Sequence, residues 1–377
     1  MSKWLATIPH AIKFEGGFLH LIRKTAKVLW QEGMAGIRLR IVHLRIIHGT
    51  ASEEASAARL NYNEWLDVHA LTHEDIVVIK GLSKGFDSPP VFSMVMPVYQ
   101  PDHNFLHSAI QSVQNQLYPD WELCICDDGS NQPVLTELLQ DYANQDPRIK
   151  VTSLGQNGGI SQATNTAIEI ATGDYIGFLD QDDTLSQDAL FWFAHAIQQK
   201  PELQLLYSDE DKIDSLEEKF SPHFKPDWNY DLLLSCNYIS HLTVYSRGLL
   251  EATGALNPEF DGCQDYDLLL RATENLNSGQ ISHIPRVLYH WRAHDQSTAS
   301  DHTTKPYVLE AGRRAIAAHL DREHVIGKVS VQGVRYRTTY ALPSPEPSVA
   351  IIIPTRNHSD LLKMCIESIV EKTHYNN

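Results

Sequence analysis

The sequence predicts an α/β protein: a mostly parallel sheet flanked by helices, with an α-helical N-terminal region ahead of it. Three observations carry this. From residue 91 to residue 180, short apolar runs alternate with longer stretches of helical period, the pattern of parallel strands joined by crossover helices. The polar clusters lie at the ends of these runs, and the ends of strands are where such sheets bind ligands. The 377 residues are 42% hydrophobic and 21% charged, enough for a sizeable core and too apolar for general disorder.

In chain order, residues 1–50 predict amphipathic helices. Trp4, Leu5, Ile8 and Ile12 begin a helical spacing of apolar positions among basic residues, and Gly16-Gly17 interrupts it. This stretch holds eight Lys or Arg against two Glu, whereas the whole chain has 31 basic and 47 acidic residues and a net charge of −16. Its basic face suits either solvent or an anionic membrane surface. A cytoplasmic protein is expected, with a peripheral contact at the inner face of the membrane as the sharper reading. The overall acidity argues against nucleic acid as a partner. No run of about 18 apolar residues offers a membrane span. Residues 51–88 read as a polar connector with one helix near 62–69, closed by Asp87-Ser88-Pro89-Pro90.

Strands are then expected at 92–96, 123–126, 149–153, 175–179 and 203–206, with helices at 101–116, 133–144 and 160–171. The five cysteines form no Cys-x-x-Cys pair; Cys124 and Cys126, two apart on one strand, are expected to be reduced and buried. Val349 to Asn357 repeats the pattern of Val91 to Gln100, and Cys365 to Ile369 that of Ala109 to Val113. The chain therefore divides into 1–88, a main domain at 89–342, and 343–377, a linker with the first strand and helix of a truncated second domain.

The strongest chemical signal is Asp180-Gln181-Asp182-Asp183, three carboxylates in four positions straight after a buried strand. Such crowding calls for a cation, and oxygen ligands select a hard ion, Mg²⁺ or Mn²⁺, shared with substrate phosphates. An acidic capping turn is the simpler alternative. An EF-hand is excluded, because Leu185 stands where it needs Gly and Phe191 where it needs Glu. Asp127-Asp128-Gly129-Ser130 ends the second strand, suited to a nucleobase and ribose or to a plain turn. Asn157-Gly158-Gly159 opens a helix and offers N–H groups to an anion. Asp209-Glu210-Asp211 reads as a solvated loop or as part of a site wall. Trp228 reads as ordinary core packing or as an exposed aromatic face.

These motifs, with Pro97-Val98-Tyr99 before them and with Gln264-Asp265-Tyr266-Asp267, Arg271 and Tyr289-His290-Trp291-Arg292-Ala293-His294 after them, resemble the inverting family 2 glycosyltransferases. The resemblance covers about 91–300 and restarts at 349. It implies the GT-A fold, the Rossmann-like architecture of nucleotide-diphospho-sugar transferases. It also implies transfer of a sugar from a UDP or dTDP sugar to a hydroxyl of a surface polysaccharide or lipid-linked glycan. The implied nucleotide-sugar contacts are Pro97, Val98, Tyr99, Asp127, Asp128, Asn157, Gly158, Asp180, Gln181 and Arg292. Asp180-x-Asp182 is the implied DXD metal motif, with Asp182 the nearer ligand and His290 or His294 completing the set; a His on that strand equally suits the core. Asp265 is the implied general base, with Gln264, Asp209 and Trp228 towards the acceptor. Gln264 stands where the family more often has Glu, and Thr164 where relatives often carry Arg. Two other readings remain. A nucleotidyltransferase needs a basic phosphate-gripping loop, which Pro97-Val98-Tyr99-Gln100 lacks; a non-catalytic sugar-nucleotide-binding module serving the second domain needs neither base nor acceptor.

Overall fold

The structure, a computed structural model, describes residues 61–293 and 306–375; the basic stretch 1–50 and His294 lie outside them. After α1 (His73–Ser83), the chain alternates β1 (Phe92–Val98), α2 (His103–Gln114), β2 (Trp121–Asp127), α3 (Pro133–Gln145), β3 (Ile149–Ser153), α4 (Ile160–Glu169) and β4 (Tyr175–Phe178). The expected strand–helix alternation is thus present. Local chemistry sets its boundaries: the Asp102 carboxylate caps α2 by accepting from the amides of Asn104 and Phe105.

Next come β5 (Thr184–Leu185), α5 (Ala189–Gln199), β6 (Leu205–Ile213), β7 (Lys219–His223) and α6 (Tyr230–Leu233). They are followed by β8 (Thr243–Ser246), α7 (Arg247–Thr253), α8 (Gln264–Thr273) and β9 (Ile281–Arg292). The main sheet has the order β3-β2-β1-β4-β8-β6-β9-β5, with β7 on β6. β1 to β4 are mutually parallel, β8 runs against both β4 and β6, and β6 and β9 are parallel again. From the edge at β3 the chain returns to place β4 on the far side of β1. This reversal leaves a crevice above the C-terminal ends of β1 and β4.

Strand alternation divides the core between the two faces. Phe92, Met94 and Met96 of β1 pack with Leu106 and Ile110 of α2 and with Phe191 and Phe193 of α5. Val95 points the other way, into a core with Cys124, Cys126, Ala163 and Tyr245. All five cysteines are free thiols, and burial pushes the Cys124 thiol up to about 12. Beyond the sheet, α9 (Pro306–Arg322) packs against the hairpin of β10 (Gly327–Gln332) and β11 (Arg335–Tyr340) and against α8. Among the described residues no helix is long and apolar enough to cross a membrane.

Two expectations are corrected. The strand expected at 203–206 continues to Ile213, so Asp209, Glu210 and Asp211 are buried strand residues, not a loop. Their partners lie far off in sequence: His283 and the Lys225 amide on Asp209, Lys225 and His223 on Glu210, Tyr62 and His290 on Asp211. The run 349–353 forms no strand, and among the described residues no strand pairs with it to share ladder hydrogen bonds. α10 (Ser359–Lys372) does form, with none of its residues buried.

A carboxylate ties the parallel strands together at the end away from the crevice. Glu122 on β2 accepts from the Ser93 hydroxyl of β1 at 2.7 Å, from the Thr172 amide at 2.5 Å and from the Thr172 hydroxyl at 2.8 Å, just ahead of β4. Lys150 of β3 lies 2.7 Å away. Burial opposes ionisation, yet Lys150 and these donors bring the Glu122 carboxyl down from 4.5 to about 2. Because the folded-state value is depressed, the stabilisation is full above pH 4.5 and fades as pH falls towards 2. Glu122→Gln is expected to lower unfolding free energy in urea by about 3 kcal/mol at pH 7, with the gap to the parent narrowing steadily from pH 5 to pH 3. A gap independent of pH contradicts this role.

Candidate active site

The crevice above β1 and β4 is a cleft of about 450 Å³. Pro97, Val98, Tyr99, Asp128, Asn157, Asp180, Gln181 and Asp182, all named from the sequence, line it together with Gly159, Ile160 and Ala163. The Gln181 side chain fastens one wall to the other: its carbonyl accepts from the Tyr99 amide at 2.8 Å and its amide donates to the Tyr99 carbonyl at 3.2 Å. Tyr99 is left with an exposed ring at the mouth.

Asp128 shapes the floor. Its carboxylate accepts from the Gly158 amide at 2.6 Å, from the Gly159 amide at 3.0 Å and from Asn157 Nδ2 at 2.9 Å. The anion that these N–H groups attract is therefore the protein's own. Gly159 has φ +89°, and a Cβ there would lie 2.9 Å from the Asp261 carboxylate, so the tight entry into α4 requires glycine.

Beside the cleft lies a smaller cavity of about 70 Å³ that shares Pro97, Ile160 and Asp180 with it and adds His241, Thr164, Gln264 and Asp265. Ligand atoms of Asp180, Asp183 and His241 lie within 4.8 Å of one another. Tyr289 of β9 organises the group. Its hydroxyl donates to Asp183 Oδ2 at 2.6 Å and accepts from the Asp180 amide at 3.3 Å, while its ring stacks on His241 at 4.7 Å. Burial first, and then the charges of Asp182 and Asp265, push the Asp180 carboxyl up, with His241 opposing. Burial followed by Asp182 and Asp180 pushes Asp183 well above the usual carboxylate range. One buried and one half-buried carboxylate short of counter-charge, facing an imidazole, fit a divalent cation. The oxygens suit Mg²⁺ or Mn²⁺, and the imidazole favours the transition ion of the two.

Asp265 stands on the first turn of α8, where the helix dipole favours a carboxylate. Asn237 Nδ2 donates to its Oδ2 at 2.8 Å.

Residues 93–254, which hold the cleft walls, the acidic turn and His241, match the family model described as Glycosyl transferase family 2. The chain carries a family 2 glycosyltransferase domain. It is 45% identical over 78% of its length to "Uncharacterized protein y4gI" of Sinorhizobium fredii, and 38% identical over 76% to "O-antigen biosynthesis protein RfbC" of Myxococcus xanthus. It spans 33% and 22% of those proteins. A solved structure of S. aureus TarS residues 1–349 in complex with UDP-GlcNAc shares the fold, with TM-score 0.51 and 21% identity over 61% of this chain and 66% of that one. The GT-A fold expected from the motifs is the fold observed.

Within the glycosyltransferase domain several sequence-named residues hold structure rather than face the cleft. Arg292, only 1% exposed, donates to the Asp182 and Asp214 carbonyls, pairs with Glu217 and lies over the Phe105 ring. It pins the acidic turn from behind instead of facing a phosphate. His290 is held by Asp211 at 2.5 Å, Ser186 at 3.0 Å and Lys219 at 3.0 Å, on the strand face opposite Tyr289, and is not brought to the Asp180 group. Asp182 lines the cleft but is outside that group, where Asp183 stands. Asp127 caps its own turn through the Ser130 amide, and Asp209 is locked to His283 and Lys225. Trp228 is half-buried against the core. The Gln264 carbonyl accepts from the Gly262 amide. Arg271 pairs with Asp267 and holds the Thr253 and Ala255 carbonyls at the end of α7. His241 was not legible, since no motif spacing marks it.

Asp128→Asn keeps the shape but removes charge from the floor. It is expected to speed hydrogen exchange at the Gly158 and Gly159 amides by about tenfold or more, a loss of 1.5–3 kcal/mol for charge-assisted bonds. Unchanged exchange at those two amides contradicts the clamp.

Proposed function

We propose that the domain is a metal-dependent, inverting glycosyltransferase that moves a sugar from a nucleotide-diphosphate donor to a hydroxyl of a growing surface polysaccharide or lipid-linked glycan. One observation carries the reading: Asp265 and Asp180 line the same small cavity, and that cavity shares walls with the cleft. A donor in the cleft places its diphosphate by Asp180 and its sugar towards Asp265. The O-antigen name of the Myxococcus relative supports a polysaccharide product, and the UDP-GlcNAc of the TarS complex supports a UDP sugar.

In this reading the exposed Tyr99 ring gives the nucleobase a face to stack on, and the Asp128-braced loop keeps the floor rigid. Asn237 holds the plane of the Asp265 carboxylate through Oδ2, so that Oδ1 takes the proton of the attacking hydroxyl. Attack from the side opposite the leaving diphosphate inverts the anomeric carbon through a transition state of oxocarbenium character. Asp180, Asp183 and His241 would hold a divalent cation, which would supply positive charge for that diphosphate. The basic stretch 1–50 is the proposed contact with the membrane that carries a lipid-linked acceptor. The segment 343–377 is read as a linker and the start of a second such domain, supported by its repeat of the Val91 pattern and by the exposed Leu361, Met364 and Val370 on α10.

The test uses the donor that a thermal-shift panel of UDP and dTDP sugars selects. Asp265→Asn is expected to lower kcat by on the order of 10²–10⁴ while the donor Kd stays within about twofold of the parent. Undiminished transfer removes Asp265 as the base, and a parent that binds donor without transferring sugar makes the domain a binding module instead.

A further inference from the structure

His241 and Asn237, which serve the two halves of the site, both lie in the irregular segment between α6 and β8. No helix or strand of its own fixes where the imidazole points. A buried ion pair does so. Lys225 Nζ donates to the Ile239 carbonyl at 2.5 Å and to the His241 carbonyl, and lies 3.4 Å from Glu210 Oε2. The same Glu210 oxygen accepts from the His241 amide at 3.1 Å. The two peptide groups of residue 241 are thus held from one side by opposite charges, while Tyr289 stacks on its ring from the other.

Strand alternation explains how the pair reaches this place. On β6, Asp209 and Asp211 turn to His283 and His290, and Glu210 between them turns to the opposite face, towards His241. A buried ion pair of this kind is weak evidence for stability, because apolar side chains of the same volume often do as well. Holding a ligand in place is a use that apolar side chains cannot supply, since both carbonyls and the amide need polar partners.

We infer that Lys225 and Glu210 are positioning residues that lock the backbone of residue 241 so that its imidazole faces Asp180 and Asp183 for a divalent cation. The inference rests on the metal reading of that group. Outer partners of metal ligands change affinity by about 10–100-fold when removed, and the pair acts on the cation only through His241.

The experiment measures Mn²⁺ affinity of the full chain by the loss of the free-ion EPR signal, with circular dichroism and melting temperature as checks on folding. Lys225→Met, Glu210→Gln and His241→Ala are each expected to weaken Mn²⁺ by about tenfold or more. The double variant Lys225→Met with His241→Ala is expected to bind no more weakly than His241→Ala alone, since one action runs through the other. If Lys225→Met does not fold, the isosteric Glu210→Gln carries the test. Parent-like affinity in Lys225→Met or Glu210→Gln, with His241→Ala weakened, overturns the positioning role. Fully additive losses overturn it too. Absence of Mn²⁺ binding by the parent, or an unaffected His241→Ala, overturns the metal reading itself and this inference with it.

Discussion

Three carboxylates at the end of β4 repel one another, and the rest of the site is arranged around that repulsion. Asp180 and Asp183 are both pushed towards their protonated forms by burial and by their neighbours. A fold that merely needed a turn here has better choices, because burying like charges side by side is unfavourable. The surrounding structure holds them there. Tyr289 binds Asp183 and the Asp180 amide, the Arg292 amide binds Asp183, and the Arg292 side chain holds the Asp182 carbonyl. These contacts fix positions without neutralising charge, which leaves the site able to take a cation.

The sheet makes this possible by separating tasks between its two ends and two faces. Glu122 ties β1, β2, β3 and the entry to β4 at one end, so the other end is free to carry ligand groups. On β9, Tyr289 serves the acidic turn while His290 turns to Asp211. Adjacent residues on one strand therefore belong to different environments. Asp128 shows a further economy of design: a carboxylate that looks like a ligand contact is the brace of the glycine loop.

The parallel half of the fold was legible because each strand and helix there has a local signature: an apolar run, a capping Asp102, a glycine pair before α4. The cleft walls were legible for the same reason, since their residues follow those strands directly. The second half was not. β6 holds three carboxylates, and only partners 13 to 149 residues away make a buried strand of them. His290 and Arg292 carry the residue types of a ligand and a phosphate contact, and only the pleat decides that both face elsewhere. His241 is the converse case, an isolated histidine in an irregular segment that tertiary contacts alone bring to Asp180. The expected strand at 349–353 shows that a good local pattern still needs a partner to pair with.

The most direct measurement of the central claim is anomalous scattering at the manganese edge from crystals grown with Mn²⁺ and a uridine diphosphate sugar. The account requires one strong peak bounded by Asp180, Asp183 and His241, with diphosphate density beside it and the Asp265 side chain turned towards the sugar. No peak in that position, or a peak there with the diphosphate outside the cleft, contradicts it.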